Sequence, residues 1–254
     1  MTDIAAQVAR ISAENARLIE RLAETERRFH RISRGVLRVQ EEERSRISRD
    51  LHDGIGQSLT ALKIQLELLE QEAARTQAAL VPRIAAVREL AESCLTEVRE
   101  MARLLRPQML DDLGLVPTLR WLARTVEKRT GVVVALEAEL ETEGADRSED
   151  RDADTLVFRI VQEALTNIVR HAGVASARVR VERRGESIVV AVEDRGVGFD
   201  AEAVLAGKDE EGGFGVRAMR DRVQSFNGKF RVRSSPGETI VEAEIPLGGG
   251  EGRP

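Results

Sequence analysis

The chain has 254 residues, 39 of them basic and 44 acidic, for a formal net charge of −5. That balance excludes the basic footprint on which nonspecific nucleic-acid binding depends, and a single cysteine excludes an intrachain disulfide framework or a cysteine-rich zinc site. One Trp, six Phe and no Tyr, with 33% charged residues, fit a helix-rich chain better than an all-β sandwich.

The 42% apolar content suffices for a core. The 20 glycines are unevenly placed: three precede residue 114 and 13 lie from Gly185 onward. A glycine-poor half is thus followed by a glycine-rich one, and two domains are expected. No apolar run reaches the ~18 residues of a membrane span, and no secretory leader pattern is present, so a cytoplasmic chain without a membrane segment is expected.

Residues 4–39 predict a coiled coil. Ile4, Val8, Ile11, Asn15, Leu18, Leu22, Thr25, Phe29, Ile32, Val36 and Val39 alternate steps of four and three, a heptad seam with charges between. Asn15 falls at an a position, where a buried amide selects a parallel two-stranded register. His30 reads as a solvated surface group. After Val39 the seam shifts by a stutter, and Ile47, Leu51, Ile55, Leu59, Leu62, Leu66 and Leu69 continue the stripe. Pro82 opens a second helix through Ile84, Val87, Ala91, Cys94, Val98, Met101 and Leu105, ending near Arg106-Pro107. Cys94 reads as a core residue of that stripe. Two such hairpins, one from each chain of a dimer, would form a four-helix bundle.

His52 lies one residue past core Leu51, so it points to solvent or a flank. Gly54 and Gly56 are costly in a helix and leave its surface bare for the approach of another domain. Asp53 and Gln57 share a face at i, i+4. A carboxylate beside an imidazole can hold its tautomer or accept its proton, and a carboxamide can orient water.

From Thr130 onward an α/β pattern is expected. Strands are predicted near 132–136, 177–183, 187–193, 229–234 and 239–245, with a helix over 152–170. That helix places Glu163, Asn167 and His171 at i, i+4, i+8 opposite an apolar face. Oxygen ligands beside a phosphate site suit Mg²⁺, which keeps several waters. Asp194-Arg195-Gly196-Val197-Gly198 follows a strand. Gly212-Gly213-Phe214-Gly215 opens a helix over 216–226, where backbone N–H groups can meet phosphate. The segment 200–211 reads as a mobile lid.

In this order, these features resemble the two-component sensor histidine kinases. Glu43-Arg44-x-Arg46-Ile47-x-x-x-Leu51-His52-Asp53-x-x-x-Gln57 and Gln162-Glu163-Ala164-Leu165-Thr166-Asn167-Ile168-Val169-Arg170-His171-Ala172 resemble the nitrate/nitrite-sensor-like subfamily. The likeness covers about residues 40–247. It implies a multidomain α and α+β chain: a coiled-coil signalling helix over 1–40, then a dimerisation and phosphotransfer hairpin over 41–124. An α/β sandwich ATP-binding domain of Bergerat type would fill 125–247, with a flexible tail over 248–254.

By the same resemblance His52 accepts phosphate from Mg-ATP, Asp53 orients or deprotonates its ring, and Gln57 positions water for phosphatase activity. Asn167 would ligate Mg²⁺, with Glu163 and His171 near the metal and phosphates. Asp194 would bind the adenine amino group, Gly196 and Gly198 allow close backbone approach, and Gly213 and Gly215 lie beside the phosphates. Thr239 would sit near the base, though Glu238 stands where the family usually has glycine. The implied partners are a second copy of the chain and the receiver domain of a response regulator, with no nucleic acid. The alternatives are a catalytically inactive ATP-binding scaffold or an ATPase that stores no phosphate. A serine/threonine-phosphorylating relative of the ATP fold would lack the histidine-bearing bundle.

Overall fold

The computed structural model describes residues 2–105, 108–140, 151–207 and 213–247. The expected tail over 248–254, Arg106-Pro107 and residues 208–212 lie outside the described residues, as do the side chains of Ile4, Val8, Ile11, Phe29 and His30. Two compact units form: Arg38–Asp112, and Leu113–Pro254 together with Met1–Leu37.

Helix α1 (Thr2–Asp50) is continuous, as the heptad seam predicts. Its seam residues Leu18, Leu22, Ile32, Val36 and Val39 are all more than half exposed. Among the described residues nothing covers these positions, and a lone helix gains most of its stability from burying such a face.

In the helical unit, α1 runs into a single π-turn at Leu51–Ile55, then α2 (Gly56–Thr76), a 3₁₀ turn at Ala78–Leu80, and α3 (Val81–Leu105). The hairpin appears where Pro82 predicts it. Ser48 on α1 is buried and donates its hydroxyl to the Ala102 carbonyl of α3 at 2.8 Å. Between α2 and α3, Lys63 pairs with Glu92 at 3.1 Å, and Arg88 bridges Glu70 and Glu92 at 3.0 Å each. Lys63 and Arg88 hold the Glu92 carboxyl below its ordinary range. These half-buried, solvent-accessible pairs set the register of the hairpin more than they stabilise it.

The core reading of Cys94 is corrected: its side chain is exposed. It shares a flank of α3 with exposed Val87, Leu90 and Met101, and Ile55 at the end of the π-turn with Leu62 and Leu69 on α2 recur at sevens, also exposed. The apolar stripe is wider than one partner helix covers, so part of it stays in solvent in a single chain.

The second unit begins ahead of the expected boundary at 125. Helix α4 (Gln108–Leu113) leads to α5 (Leu115–Thr130), which has no counterpart among the predicted elements. Leu115, Leu119 and Leu122 at i, i+4, i+7 are buried to 4% exposure or less, so residue 125 falls inside a helix packed into this core. Pro117 is tolerated there because first-turn N–H groups have no helical partner.

The five strands are β1 (Val133–Glu139), β2 (Ser176–Arg184), β3 (Ser187–Asp194), β4 (Lys229–Ser235) and β5 (Glu238–Pro246). They form one mixed sheet in the order β1-β2-β3-β5-β4, with only β1 and β2 parallel. Helices α5, α6 (Arg151–Asn167) and α8 (Phe214–Ser225) pack on it. A second π-turn, Ile168–Ala172, extends α6. The short α7 (Ala201–Leu205), capped by the Asp200 carboxylate accepting from Ala203 N–H at 2.9 Å, opens the segment expected to be a lid.

The strand register orders the core into rows. Leu136, Val179, Val192, Val241 and Val232 lie side by side, as do Ala138, Val181, Val190, Ala243 and Phe230. Each fully buried aliphatic side chain there contributes about 1.5–3 kcal/mol. The next row reads Val134, Ala177, Asp194, Thr239, Ser234. The core thus turns polar at one end of the sheet.

Leu119→Ala is expected to cost about 2–5 kcal/mol in denaturant unfolding of the C-terminal unit, as for other buried leucines. A loss below 0.5 kcal/mol, on the order of a surface change, would show that α5 is not part of that core.

Candidate functional site

The phosphoacceptor candidate sits on the π-turn. His52 and Asp53 are exposed, their side chains 62% and 65% accessible, and Nδ1 of His52 lies 3.0 Å from Oδ1 of Asp53. A carboxylate only accepts, so in this pair Nδ1 is the donor and Nε2 keeps its lone pair. The wide turn closes through a bond from Gly56 N–H to the Leu51 carbonyl. Two hydroxyls weaken the helix beyond it: Ser58 donates to the Gly54 carbonyl at 3.0 Å and Thr60 to that of Gly56 at 2.7 Å. No atom lies within 4 Å of where a Gly54 side chain would begin, so the helix surface beside His52 is bare as expected. Gln57 is exposed in the first turn of α2.

The second cluster lies at the polar end of the sheet. Asp194 ends β3, is only 8% exposed, and accepts from Gly196 N–H at 2.8 Å. Burial pushes its carboxyl above the ordinary range, and the Gly196 N–H bond partly offsets this. Thr239 is its cross-strand partner on β5 and is likewise buried. Glu238, expected to disturb this turn, is an ordinary strand residue paired with Ser235. Pro236 and Gly237 alone make the hairpin turn, and the positive φ of 91° falls on Gly237.

The glycines here are steric requirements. A β-carbon on Gly196 would lie 2.5 Å from the Ala172 carbonyl oxygen, and one on Gly198 would lie 2.5 Å from the Ser235 carbonyl. The loop between them is tied down by Gly237 N–H donating to the Gly196 carbonyl at 2.8 Å. Gly213 precedes α8 and packs on Val204 of α7. Where a Gly215 β-carbon would sit, Glu163 Oε1 is 2.1 Å away and Asn167 Nδ2 3.3 Å. The start of α8 is thereby seated on the Glu163/Asn167 face of α6. His171 lies beyond the switch into the π-turn and is exposed.

The donor set fits a phosphate-bound Mg²⁺. The Glu163 carboxylate and the Asn167 carboxamide lie side by side in the cradle left by Gly215, and both side chains carry an oxygen that a hard cation can take. Among the described residues no group of three or more acidic, His or Cys side chains forms a closed metal cage. A Mg²⁺ that keeps its waters and substrate phosphates needs only one or two protein ligands.

Sequence reasoning named these residues but passed over Ser234. Its hydroxyl accepts from Phe199 N–H at 2.9 Å and lies 2.8 Å from Thr239 Oγ1. The signal available was the hairpin: a two-residue Pro-Gly turn pairs 234 with 239.

A buried acid in one place and a carboxylate–carboxamide pair under a helix N-terminus in another suit a nucleotide, whose base and phosphates lie apart. Comparison with known proteins agrees. A family model described as histidine kinase matches residues 43–110, and one described as histidine kinase-, DNA gyrase B-, and HSP90-like ATPase matches residues 152–249. The chain belongs to the sensor histidine kinases, in the nitrate/nitrite-sensor-like subfamily.

It is 32% identical over 84% of its length to the signal transduction histidine-protein kinase/phosphatase DegS of Brevibacillus brevis, covering 53% of that protein. The sensor histidine kinase MctS of Rhizobium johnstonii is 31% identical over 86% of this chain and 46% of its own. The oxygen sensor histidine kinase NreB of Staphylococcus carnosus is 34% identical over 84% of this chain and 58% of its own. The chain spans about half the length of these curated relatives. Among the described residues no helix is long and apolar enough to cross a membrane.

Two glycine substitutions separate structure from chemistry. Gly196→Ala meets backbone and is expected to lower the melting temperature by several degrees. Gly215→Ala meets only the ends of the Glu163 and Asn167 side chains, so it is expected to keep the melting temperature while weakening Mg-ATP binding. Calorimetry and nucleotide titration read the two effects, and equal melting losses would contradict the distinction.

Asp194→Asn is expected to gain stability at neutral pH. The folded carboxyl binds its proton more tightly than the unfolded one at 3.8, so wild-type stability rises as pH falls through the folded pKa. The amide removes that pH dependence and the cost of the buried charge. ATP affinity is expected to fall roughly 10- to 100-fold, as for a lost hydrogen bond to a charged group.

Proposed function

We propose that the chain is the kinase core of a two-component sensor: it autophosphorylates on His52 from Mg-ATP and passes the phosphoryl group to an aspartate of a response regulator. The observation that carries this reading is the exposed His52–Asp53 pair at 3.0 Å, in a chain whose other unit carries the nucleotide site.

Asp53 holds the ring with Nδ1–H bonded, which leaves the Nε2 lone pair to attack the γ-phosphorus in line. The N–P bond forms as the bond to the β-phosphate oxygen breaks. ADP leaves, and the Nδ1 proton passes to Asp53 or water. Asp194 and Thr239 hold the adenine, and Asn167 with Glu163 would hold Mg²⁺. The ion, when bound, offsets charge on the phosphates. His171 stands toward the phosphate end of the same helix. Gly213 and Gly215 let the start of α8 approach the phosphates.

Because the chain is a member of a family that works as dimers, we assign the uncovered stripes to a second copy. The α1 seam would form a parallel coil, and Ile55, Leu62 and Leu69 with Val87, Leu90, Cys94 and Met101 would line a four-helix bundle. That arrangement returns the exposed Cys94 flank to an interface. Domain limits near 1–40, 41–112, 113–247 and 248–254 follow from this reading. Gln57, exposed one turn beyond His52, would orient water for hydrolysis of the phospho-regulator. DegS, named as both kinase and phosphatase, supports that second activity. The reaction draws on cytoplasmic ATP and regulator.

Incubation with γ-labelled Mg-ATP is expected to leave acid-labile, base-stable label that His52→Gln abolishes. Label surviving in His52→Gln would remove the assignment. Nucleotide binding without any label would instead favour an ATP-binding scaffold. Gln57→Ala is expected to keep autophosphorylation while slowing regulator dephosphorylation several-fold; parallel loss of both would remove its role.

A further inference from the structure

The nucleotide-binding reading accounts for Asp194 and Thr239 but leaves a third polar member of their row unassigned. Asp194, Thr239 and Ser234 are consecutive across β3, β5 and β4, paired residue to residue, so their side chains rise from the same face of the sheet. The next two rows along this face are apolar, which makes this terminal polar row a local departure from the core pattern.

The hydrogen bonds run through Ser234. It accepts from the N–H of Phe199, the residue after Gly198, at 2.9 Å. It also lies 2.8 Å from Thr239 Oγ1. One hydroxyl therefore touches both the Asp-x-Gly-x-Gly loop and the threonine beside the buried carboxylate.

The loop sits over this hairpin with no slack. A Gly198 β-carbon would overlap Ser235, and Gly237 N–H already holds the Gly196 carbonyl at 2.8 Å. Ser234 is half-buried between these contacts and holds the Phe199 amide of the turn.

We infer that Ser234 is a positioning residue for purine recognition, donating its hydroxyl proton to Thr239 Oγ1 so that the Thr239 hydroxyl presents its own proton toward the base beside Asp194. This rests on the assignment of the sheet end as the adenine site. The direction follows from acceptor economy: Ser234 already receives the Phe199 amide, and giving its proton to Thr239 leaves the threonine proton for the ligand. Such a chain acts through Thr239 and Asp194 alone. The donated Thr239 proton needs an acceptor on the base, which adenine N1 beside the amino group supplies and the protonated N1 of hypoxanthine does not, so the chain strengthens adenine binding and leaves the inosine base largely untouched.

The test uses the full chain with Mg²⁺ and a fluorescent ATP analogue displaced by ATP or by inosine triphosphate, whose base lacks the amino group. Ser234→Ala is expected to weaken ATP roughly five- to tenfold, the scale of one neutral hydrogen bond, while inosine triphosphate changes less than twofold. Ser234→Thr, which keeps a hydroxyl, is expected to restore ATP binding. ATP affinity within twofold of wild type in Ser234→Ala would overturn the proposal. So would equal weakening of both nucleotides, the mark of a merely structural hairpin residue. A wild-type chain that fails to bind the analogue would overturn the nucleotide reading itself, and this inference with it.

Discussion

The nucleotide end of the molecule depends on one backbone contact. Gly196 approaches the Ala172 carbonyl so closely that a β-carbon would sit 2.5 Å from it, and Val197 N–H donates to the same oxygen at 3.2 Å. Ala172 closes the π-turn that extends α6, and Gly196 follows the strand that ends in Asp194. The contact therefore joins the helix carrying Glu163 and Asn167 to the strand carrying the buried acid. Separate them by the width of a methyl group, and Asp194 and the Glu163/Asn167 face lose their common frame. Dense packing makes that frame rigid, since interiors do not yield gradually.

Each of the two units has its π-turn where a helix must depart from regular geometry. Leu51–Ile55 holds His52, and Ile168–Ala172 holds His171. Wide turns of this kind carry poorer hydrogen bonds and concentrate at functional places. At His52 the glycines and the back-bonding of Ser58 and Thr60 add to the weakness, and Ser48 anchors the preceding helix to α3. A histidine on a softened turn above an anchored helix can adjust its ring without unfolding the hairpin, as the proposed phosphoacceptor role would need. The Asp194 end of the sheet is built the opposite way, with that carboxyl desolvated and raised above its ordinary range.

Much of this architecture was legible in the sequence because it rests on periodicity. The long seam gave α1, Pro82 marked the hairpin, and alternation in 187–193 marked β3. The glycine strings pointed to backbone approach, and Gly196, Gly198 and Gly215 prove sterically confined. The gaps have physical causes. Helix α5 was missed because its three buried leucines are spread through a polar, proline-containing segment whose role emerges only against β1 and α6. Cys94 looked internal because a heptad stripe does not say which of its flanks another chain must cover. Ser234 was silent because a serine in a strand becomes informative only when the hairpin sets it beside Thr239 and the Phe199 amide.

The central claim is that Asp194, Thr239 and the Glu163/Asn167 cradle hold the two ends of one nucleotide. A crystal structure of the full chain with Mg²⁺ and a non-hydrolysable ATP analogue tests it most directly. The adenine amino group should lie within hydrogen-bonding distance of Asp194, with the metal on Asn167 and the phosphates at the start of α8. A nucleotide bound elsewhere, or one leaving the Asp194 carboxylate without contact to the base, would contradict the account.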